Sequence, residues 1–143
     1  DDSDLAYVPV SLFNAECWIT RDFAFPTALD GSAAAPLEQT VFGWSQGGCN
    51  IVWSDFLPQL LAVHGPHICS GKAVVELGAG CGLAGLVAAH WARRVDITDG
   101  DPDEVALIQR NIDEYSPVGG GACAAHLLEW GTAAAAAGRA RGA

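Results

Sequence analysis

From residue 70 onward, the hydrophobic and polar positions change repeatedly between strand-like and helix-like patterns. Apolar runs of about four to eight residues predict buried strands, and apolar residues recurring every three or four positions predict helices. Asp101-Pro102 favours a helix start, because an N-cap acid precedes proline at the first helical position. The predicted elements are strands at Lys72–Leu77, Arg94–Thr98 and Ala122–Leu128, and helices at Leu83–Trp91 and Asp101–Tyr115.

One more helix precedes this series. Ser54 is suited to the N-cap position, and apolar residues follow it at helical spacing from Phe56 to Val63. Gly65-Pro66 is predicted to end this helix. Short strands alternating with helices predict parallel strands joined by right-handed crossovers. The fold class is therefore α/β.

The first part of the chain reads differently. Two strand-like runs, Tyr7–Phe13 and Cys17–Phe25, predict a β-hairpin, and Asp30–Pro36 has the composition of a loop. Residues 132–143 are rich in alanine, glycine and arginine, which is typical of a low-complexity tail. We therefore predict an N-terminal extension over 1–48, an α/β unit over 49–131 and a tail over 132–143.

Composition narrows the possible partners. The chain has 143 residues, and 17 acidic against 7 basic side chains give a net charge of −10, which disfavours a nucleic-acid partner. No apolar run reaches the roughly 18 residues of a membrane helix, and no signal peptide is visible, so we expect a cytoplasmic protein without a membrane partner.

Five cysteines without paired spacing predict reduced thiols and no metal site. The absence of methionine suggests part of a longer gene product.

The segment Val74–Leu86, Val-Val-Glu-Leu-Gly-Ala-Gly-Cys-Gly-Leu-Ala-Gly-Leu, has the pattern of a strand-to-helix turn that lies against a nucleotide-like ligand. Two glycine patterns overlap in it. Gly80-x-Gly82-x-x-Gly85 fits the dinucleotide fingerprint, whereas Glu76-x-Gly78-x-Gly80-x-Gly82 is typical of S-adenosylmethionine (SAM) sites. Asp99 and Asp101 follow about 20 residues later, where a ribose hydroxyl needs an acceptor.

Charge separates the two cofactors. A dinucleotide places its pyrophosphate at the helix N-terminus, where Glu76 would be poorly placed. SAM carries no phosphate and has a positive sulfonium and an ammonium group, so an acid nearby is favourable. The residues therefore favour SAM, and an oxidoreductase using NAD on the same fold stays an alternative.

Landmarks around this turn make the likeness specific. The segment Val74–Leu86 resembles the first motif of the seven-strand SAM-dependent methyltransferases, and most closely that of the family 16 protein-lysine methyltransferases. The other landmarks follow in the same order: Trp53-Ser54 before a helix, Thr98-Asp99 at a strand end, Arg110-Asn111 in the next helix, and Leu128-Glu129-Trp130-Gly131 after the third strand.

The resemblance implies the N-terminal half of a Rossmann-like methyltransferase fold, with SAM as cofactor and a protein lysine side chain as methyl acceptor. It implies that Asp99 accepts hydrogen bonds from the ribose, that Trp130 flanks the adenine and that Trp53 closes the methionine end. The remaining cofactor-binding residues it implies are Glu76, Gly78, Gly80 and Gly82.

No catalytic residue is assigned, because the family's later strands and substrate-recognition segments have no counterpart in this chain. A methyltransferase acting on a small molecule and a truncated, non-enzymatic product remain open alternatives.

Overall fold

The structure is a computed structural model that describes residues 18–44 and 56–131. These residues form an antiparallel hairpin and a parallel three-stranded sheet with helices. In chain order the elements are β1 (Trp18–Phe25), β2 (Leu37–Trp44), α1 (Phe56–Ile68), β3 (Ala73–Glu76), α2 (Leu83–Ala88), β4 (Arg94–Asp99), α3 (Pro102–Tyr115) and β5 (Ala122–Leu127).

The parallel sheet has the order β3-β4-β5, which confirms the predicted α/β class and the Rossmann-like arrangement. Its central strand is the most buried, with Val95 and Ile97 fully enclosed. All six residues of helix α2 are buried, which fits their small and apolar side chains. Asp101 caps α3 as predicted, its side chain accepting a hydrogen bond from the Asp103 amide at 2.8 Å.

Two helix ends differ from the prediction. Helix α1 continues past Gly65-Pro66 to Ile68, and the Gly65 carbonyl still accepts from the Cys69 amide at 2.8 Å. A proline in a last turn removes only one backbone hydrogen bond. Gly65 is needed because the Trp91 ring occupies the space of any side chain there.

Helix α2 ends at Ala88, three residues before the predicted Trp91. The His90 and Trp91 amides bond to carbonyls three residues back, at 3.2 and 3.1 Å, so the chain tightens into turns instead of continuing as an α-helix. This places the Trp91 ring against α1.

The hairpin forms with a different partner from the predicted one. Trp18–Phe25 pairs with Leu37–Trp44, not with Tyr7–Phe13, which lies outside the described residues. Leu37, Gln39 and Val41 alternate inward on β2. The polar Gln39 interrupts the apolar alternation, and this is why the strand escaped sequence-based prediction.

The hairpin packs on the α/β unit. Phe23, Phe25 and Val41 share one buried core with residues of α2, β4 and α3. Gln39 Nε2 donates to the Tyr115 carbonyl at 2.8 Å, and its Oε1 lies 3.0 Å from His90 Nε2. Within the described ranges, no helix is both long and apolar enough to span a bilayer.

Candidate functional site

The candidate site lies at the carboxyl ends of β3 and β4, where the chain passes through Leu77–Gly82, hereafter the glycine loop. Gly78, Gly80 and Gly82 have φ values of +63°, +60° and +85°. Residues with side chains rarely adopt this left-handed conformation, so the loop needs glycine at these positions.

The three loop glycines differ in their surroundings. A Cβ atom on Gly80 would meet no atom within 4 Å, whereas one on Gly78 would lie 3.4 Å from the Trp130 ring. A Cβ on Gly82 would touch Ile97 Cγ2 at 3.4 Å and Ile108 Cγ2 at 3.5 Å. The loop therefore has one side against the core and an uncovered backbone at Gly80.

Asp99, the last residue of β4, fastens the loop. Its Oδ2 accepts a hydrogen bond from the Gly80 amide at 2.9 Å, and its Oδ1 accepts from the Asp101 amide at 3.0 Å. The Asp99 carbonyl also accepts from the Leu128 amide at 2.8 Å. Asp99 thus joins the glycine loop, the end of β4 and the segment after β5 at one edge of the sheet.

Glu76 points toward helix α2. Its Oε2 accepts a hydrogen bond from the Gly85 amide at 2.7 Å. The N-cap residue of α2, Gly82, has no side chain to perform this role, so Glu76 supplies the cap from the neighbouring strand. Burial raises the pKa of Glu76 to about 7, the hydrogen bond from Gly85 opposes this increase, and the Asp99 carboxylate adds a smaller one.

Trp130 follows β5 and is 72% exposed. Its ring lies beside Gly78, so an aromatic face is available next to the glycine loop. Trp53 lies outside the described residues. A mostly apolar cleft of about 640 Å³ lies between α1 and β3, with Leu57, Leu61 and Val75 in its wall, and residues of the glycine loop also line it.

One residue that contacts the loop was given no function from the sequence. Asn111, on α3, is fully buried, and its Nδ2 donates to the Cys81 carbonyl at 2.9 Å. The available signal was a polar residue on the apolar face of the helix, between Ile108 and Ile112. No three side chains of the metal-ligating types come together among the residues that the structure describes.

The site is acidic. Burial raises the pKa of Glu104, and the negative charges of Asp99, Asp101 and Asp103 raise it further. Such a surface attracts a cationic ligand and repels a phosphorylated one.

Comparison with known proteins agrees with this geometry. A family model described as lysine methyltransferase matches residues 44–139 of the 143, a range that contains the glycine loop, Asp99 and Trp130.

Similar proteins carry related names. The chain is 48% identical over 68 residues to a calmodulin-lysine N-methyltransferase of Arabidopsis thaliana, which covers 46% of this chain and 22% of the relative. It is 43% identical over 63 residues to methyltransferase-like protein 22 of Mus musculus, covering 42% of this chain and 16% of the relative. It is 47% identical over 49 residues to protein N-lysine methyltransferase METTL21A of Danio rerio, covering 34% and 22%.

The matched part of the chain thus spans about a fifth of the length of these relatives. The resemblance found in the sequence motifs is confirmed by the family match, which covers more than half of the chain. The chain belongs to the lysine methyltransferase family.

Proposed function

We propose that this protein is the cofactor-binding part of a SAM-dependent methyltransferase that transfers a methyl group to a lysine side chain of a protein. The observation that carries the proposal is the uncovered Gly80 backbone, held by Asp99 at the carboxyl ends of two parallel strands. Ligands of open α/β sheets bind at this edge.

The residues present fit SAM. A ligand can approach the Gly80 backbone closely, because no atom occupies the space above it. Each Asp99 oxygen accepts one backbone hydrogen bond, which leaves lone pairs for two ribose hydroxyls. The exposed Trp130 ring offers a stacking surface for adenine beside Gly78.

The charge of the site favours SAM over a dinucleotide. The carboxylates of Asp99, Asp101, Asp103 and Glu104 lie together at the end of β4 and the start of α3. A pyrophosphate would meet this negative surface, whereas a sulfonium and an ammonium group would be attracted to it. The comparisons likewise favour methyl transfer over oxidation by NAD.

Glu76 supports this site through the loop rather than by a free carboxylate. Its Oε2 is engaged by the Gly85 amide, so we assign it the role of holding the loop-to-helix junction in shape. We retain Trp53 as a proposed contact at the methionine end, on the resemblance alone. The cofactor-binding set we propose is Trp53, Glu76, Gly78, Gly80, Gly82, Asp99 and Trp130.

When bound, SAM would supply an electrophilic methyl group on its sulfonium. The task of this chain is to hold that group in one orientation, because a lysine amine must approach in line with the bond that breaks. The glycine loop and Asp99 would fix the ribose, and Trp130 would fix the adenine. A lysine acceptor is supported by the names of the relatives, which include a calmodulin-lysine N-methyltransferase and an N-lysine methyltransferase.

Calorimetric titration of the purified protein with SAM, S-adenosylhomocysteine and NAD tests the cofactor. We expect SAM and its demethylated product to bind and Asp99→Ala to weaken SAM binding at least about tenfold, because hydrogen bonds to a charged group contribute about 1.5–3 kcal/mol each. Asp113→Ala is the matched control, an exposed aspartate on α3 away from the loop. Binding of NAD alone, or equal affinities of the two variants, would contradict the proposal.

The acceptor is tested separately. The full-length gene product is incubated with a cell extract and SAM carrying a tritiated methyl group. The products are then separated by size and hydrolysed to amino acids. We expect label in methylated lysine of the protein fraction. Label confined to small molecules would indicate the other class of methyltransferase.

A further inference from the structure

Asn111 connects two parts of the molecule that are far apart in the sequence. Its side chain is fully buried, and all of its hydrogen-bonding groups are engaged by backbone atoms. Nδ2 donates to the Phe42 carbonyl at 2.8 Å and to the Cys81 carbonyl at 2.9 Å, and Oδ1 accepts from the Phe42 amide at 2.8 Å. One amide group therefore joins β2 of the hairpin to the glycine loop.

The bond to Cys81 reaches the loop at a critical place. Cys81 lies between Gly80 and Gly82, both in the left-handed conformation. The Gly80 amide is held by Asp99 and the Gly82 amide by the Ala79 carbonyl at 3.1 Å. Asn111 holds the same stretch of the loop through a carbonyl instead of an amide, because its Nδ2 donates a hydrogen bond to the Cys81 carbonyl.

The hairpin end of this connection is also held by several contacts. Phe42 offers both its amide and its carbonyl to Asn111. The Arg110 guanidinium lies 3.6 Å from the centre of the Phe42 ring and pairs with Glu114 at 3.1 Å, so the neighbouring residue covers the same strand from outside. Movement of β2 would therefore be transmitted to the loop through a buried, fully satisfied amide.

We propose that Asn111 is a positioning residue that makes the N-terminal hairpin part of the cofactor site by fixing the Cys81 carbonyl of the glycine loop. This inference rests on the proposed function for its consequence, SAM affinity. Its mechanical part, the order of the loop, stands on the contacts alone.

The chain offers a matched control in Gln39. This second buried amide also makes three hydrogen bonds, to the Thr40 carbonyl, the Tyr115 carbonyl and His90, and it also joins the hairpin to the α/β unit. None of its partners belongs to the glycine loop. Asn111→Leu and Gln39→Leu thus remove comparable interactions, and only the first of them removes an anchor of the loop.

Two measurements test the proposal. Amide hydrogen exchange without ligand reports on Gly80 and Gly82, and calorimetry reports on the SAM dissociation constant. We expect Asn111→Leu to accelerate hydrogen exchange in the loop about tenfold and to weaken SAM binding by a similar factor. Gln39→Leu should change the exchange rate and the SAM affinity by less than about twofold, even if the two variants lower the unfolding midpoint equally. If Asn111→Leu does not fold, the same two measurements are made on Asn111→Ser, which retains one hydroxyl donor.

The outcomes separate the two proposals. Loop exchange that stays the same in the Asn111 variant, or rises equally in the Gln39 variant, overturns the positioning role whatever the affinities are. A wild-type protein that binds no SAM overturns the proposed function, and the exchange comparison still decides the role of Asn111. Faster loop exchange with unchanged SAM affinity overturns the link between the hairpin and the cofactor.

Discussion

Gly80 in the glycine loop and Gly85 in the first turn of α2 are only five residues apart and are surrounded very differently. A Cβ atom on Gly85 would lie 2.5 Å from Glu76 Oε2 and 2.7 Å from Ile97 Cδ1. A Cβ atom on Gly80 would meet no atom within 4 Å, although its backbone has a φ of +60°.

The comparison shows that glycine serves two purposes in one motif. At Gly85 the absence of a side chain lets α2 approach β3 and β4 and receive the Glu76 cap. At Gly80 it leaves the backbone open and permits the left-handed turn. Substitutions at the packed position should therefore change the free energy of unfolding, and those at the open position should mainly change ligand affinity.

The largest effect is expected at the packed position. Gly85→Ala should lower the free energy of unfolding by about 3 kcal/mol, because the new methyl group overlaps Glu76 and Ile97. Urea unfolding followed by circular dichroism measures this. Gly100→Ala is a suitable control, since its Cβ would lie at an ordinary 3.6 Å from the Leu128 carbonyl.

The sign of this change is decisive. In an exposed helix position, replacing glycine by alanine stabilises by up to about 1 kcal/mol. A Gly85→Ala protein more stable than the wild type would mean that α2 does not lie this close to β3, and the contrast between the two glycines would disappear.

The next effect concerns Glu76, which caps α2 at the packed position. Its pKa is raised from an ordinary value near 4.5 to about 7, so the folded state favours the protonated carboxyl. The unfolded chain releases this proton at lower pH, and stability is therefore lost as the pH rises toward the folded pKa. Between pH 5.5 and 8 the loss attributable to Glu76 should be about 2 kcal/mol.

Glu76→Gln separates this contribution from all others. The glutamine oxygen can still accept from the Gly85 amide, and the neighbouring Asp99 carboxylate no longer faces a second negative charge. Urea unfolding at several pH values should show the variant gaining stability relative to wild type as the pH rises. Parallel pH curves for the two proteins would contradict the burial of this carboxyl.

The packed glycine also explains what could be predicted from the sequence. Two overlapping cofactor patterns were visible because Gly85 completes the dinucleotide fingerprint. The structure shows that Gly85 is needed for close packing of α2 on the strands. A turn of this kind needs such a glycine whichever cofactor it binds, so Gly85 does not distinguish the two cofactors. The parallel sheet, the capped α3 and the meeting of Asp99 with the glycine loop followed from local patterns.

The features that escaped prediction depend on contacts between distant residues. Gly65 lies inside α1 because the Trp91 ring fills the space that a side chain would need there. The second hairpin strand contains an inward Gln39, whose partners Tyr115 and His90 lie more than fifty residues away. A polar residue on a buried face breaks the apolar periodicity, and the sequence does not show which distant groups form hydrogen bonds with it.

The smallest effect on stability is expected at the open position, where ligand affinity carries the information. Gly80→Ala should cost about 1 kcal/mol of unfolding free energy, because alanine is strained at positive φ. Gly119→Ala should cost about the same, since Gly119 has a φ of +76° and equally open surroundings in the turn before β5.

Only the methyl group on Gly80 would project into the proposed cofactor space. We therefore expect SAM binding, measured by calorimetry, to weaken about tenfold in Gly80→Ala and to stay unchanged in Gly119→Ala. Equal affinities in two equally destabilised variants would show that the open side of the loop is not where the cofactor lies.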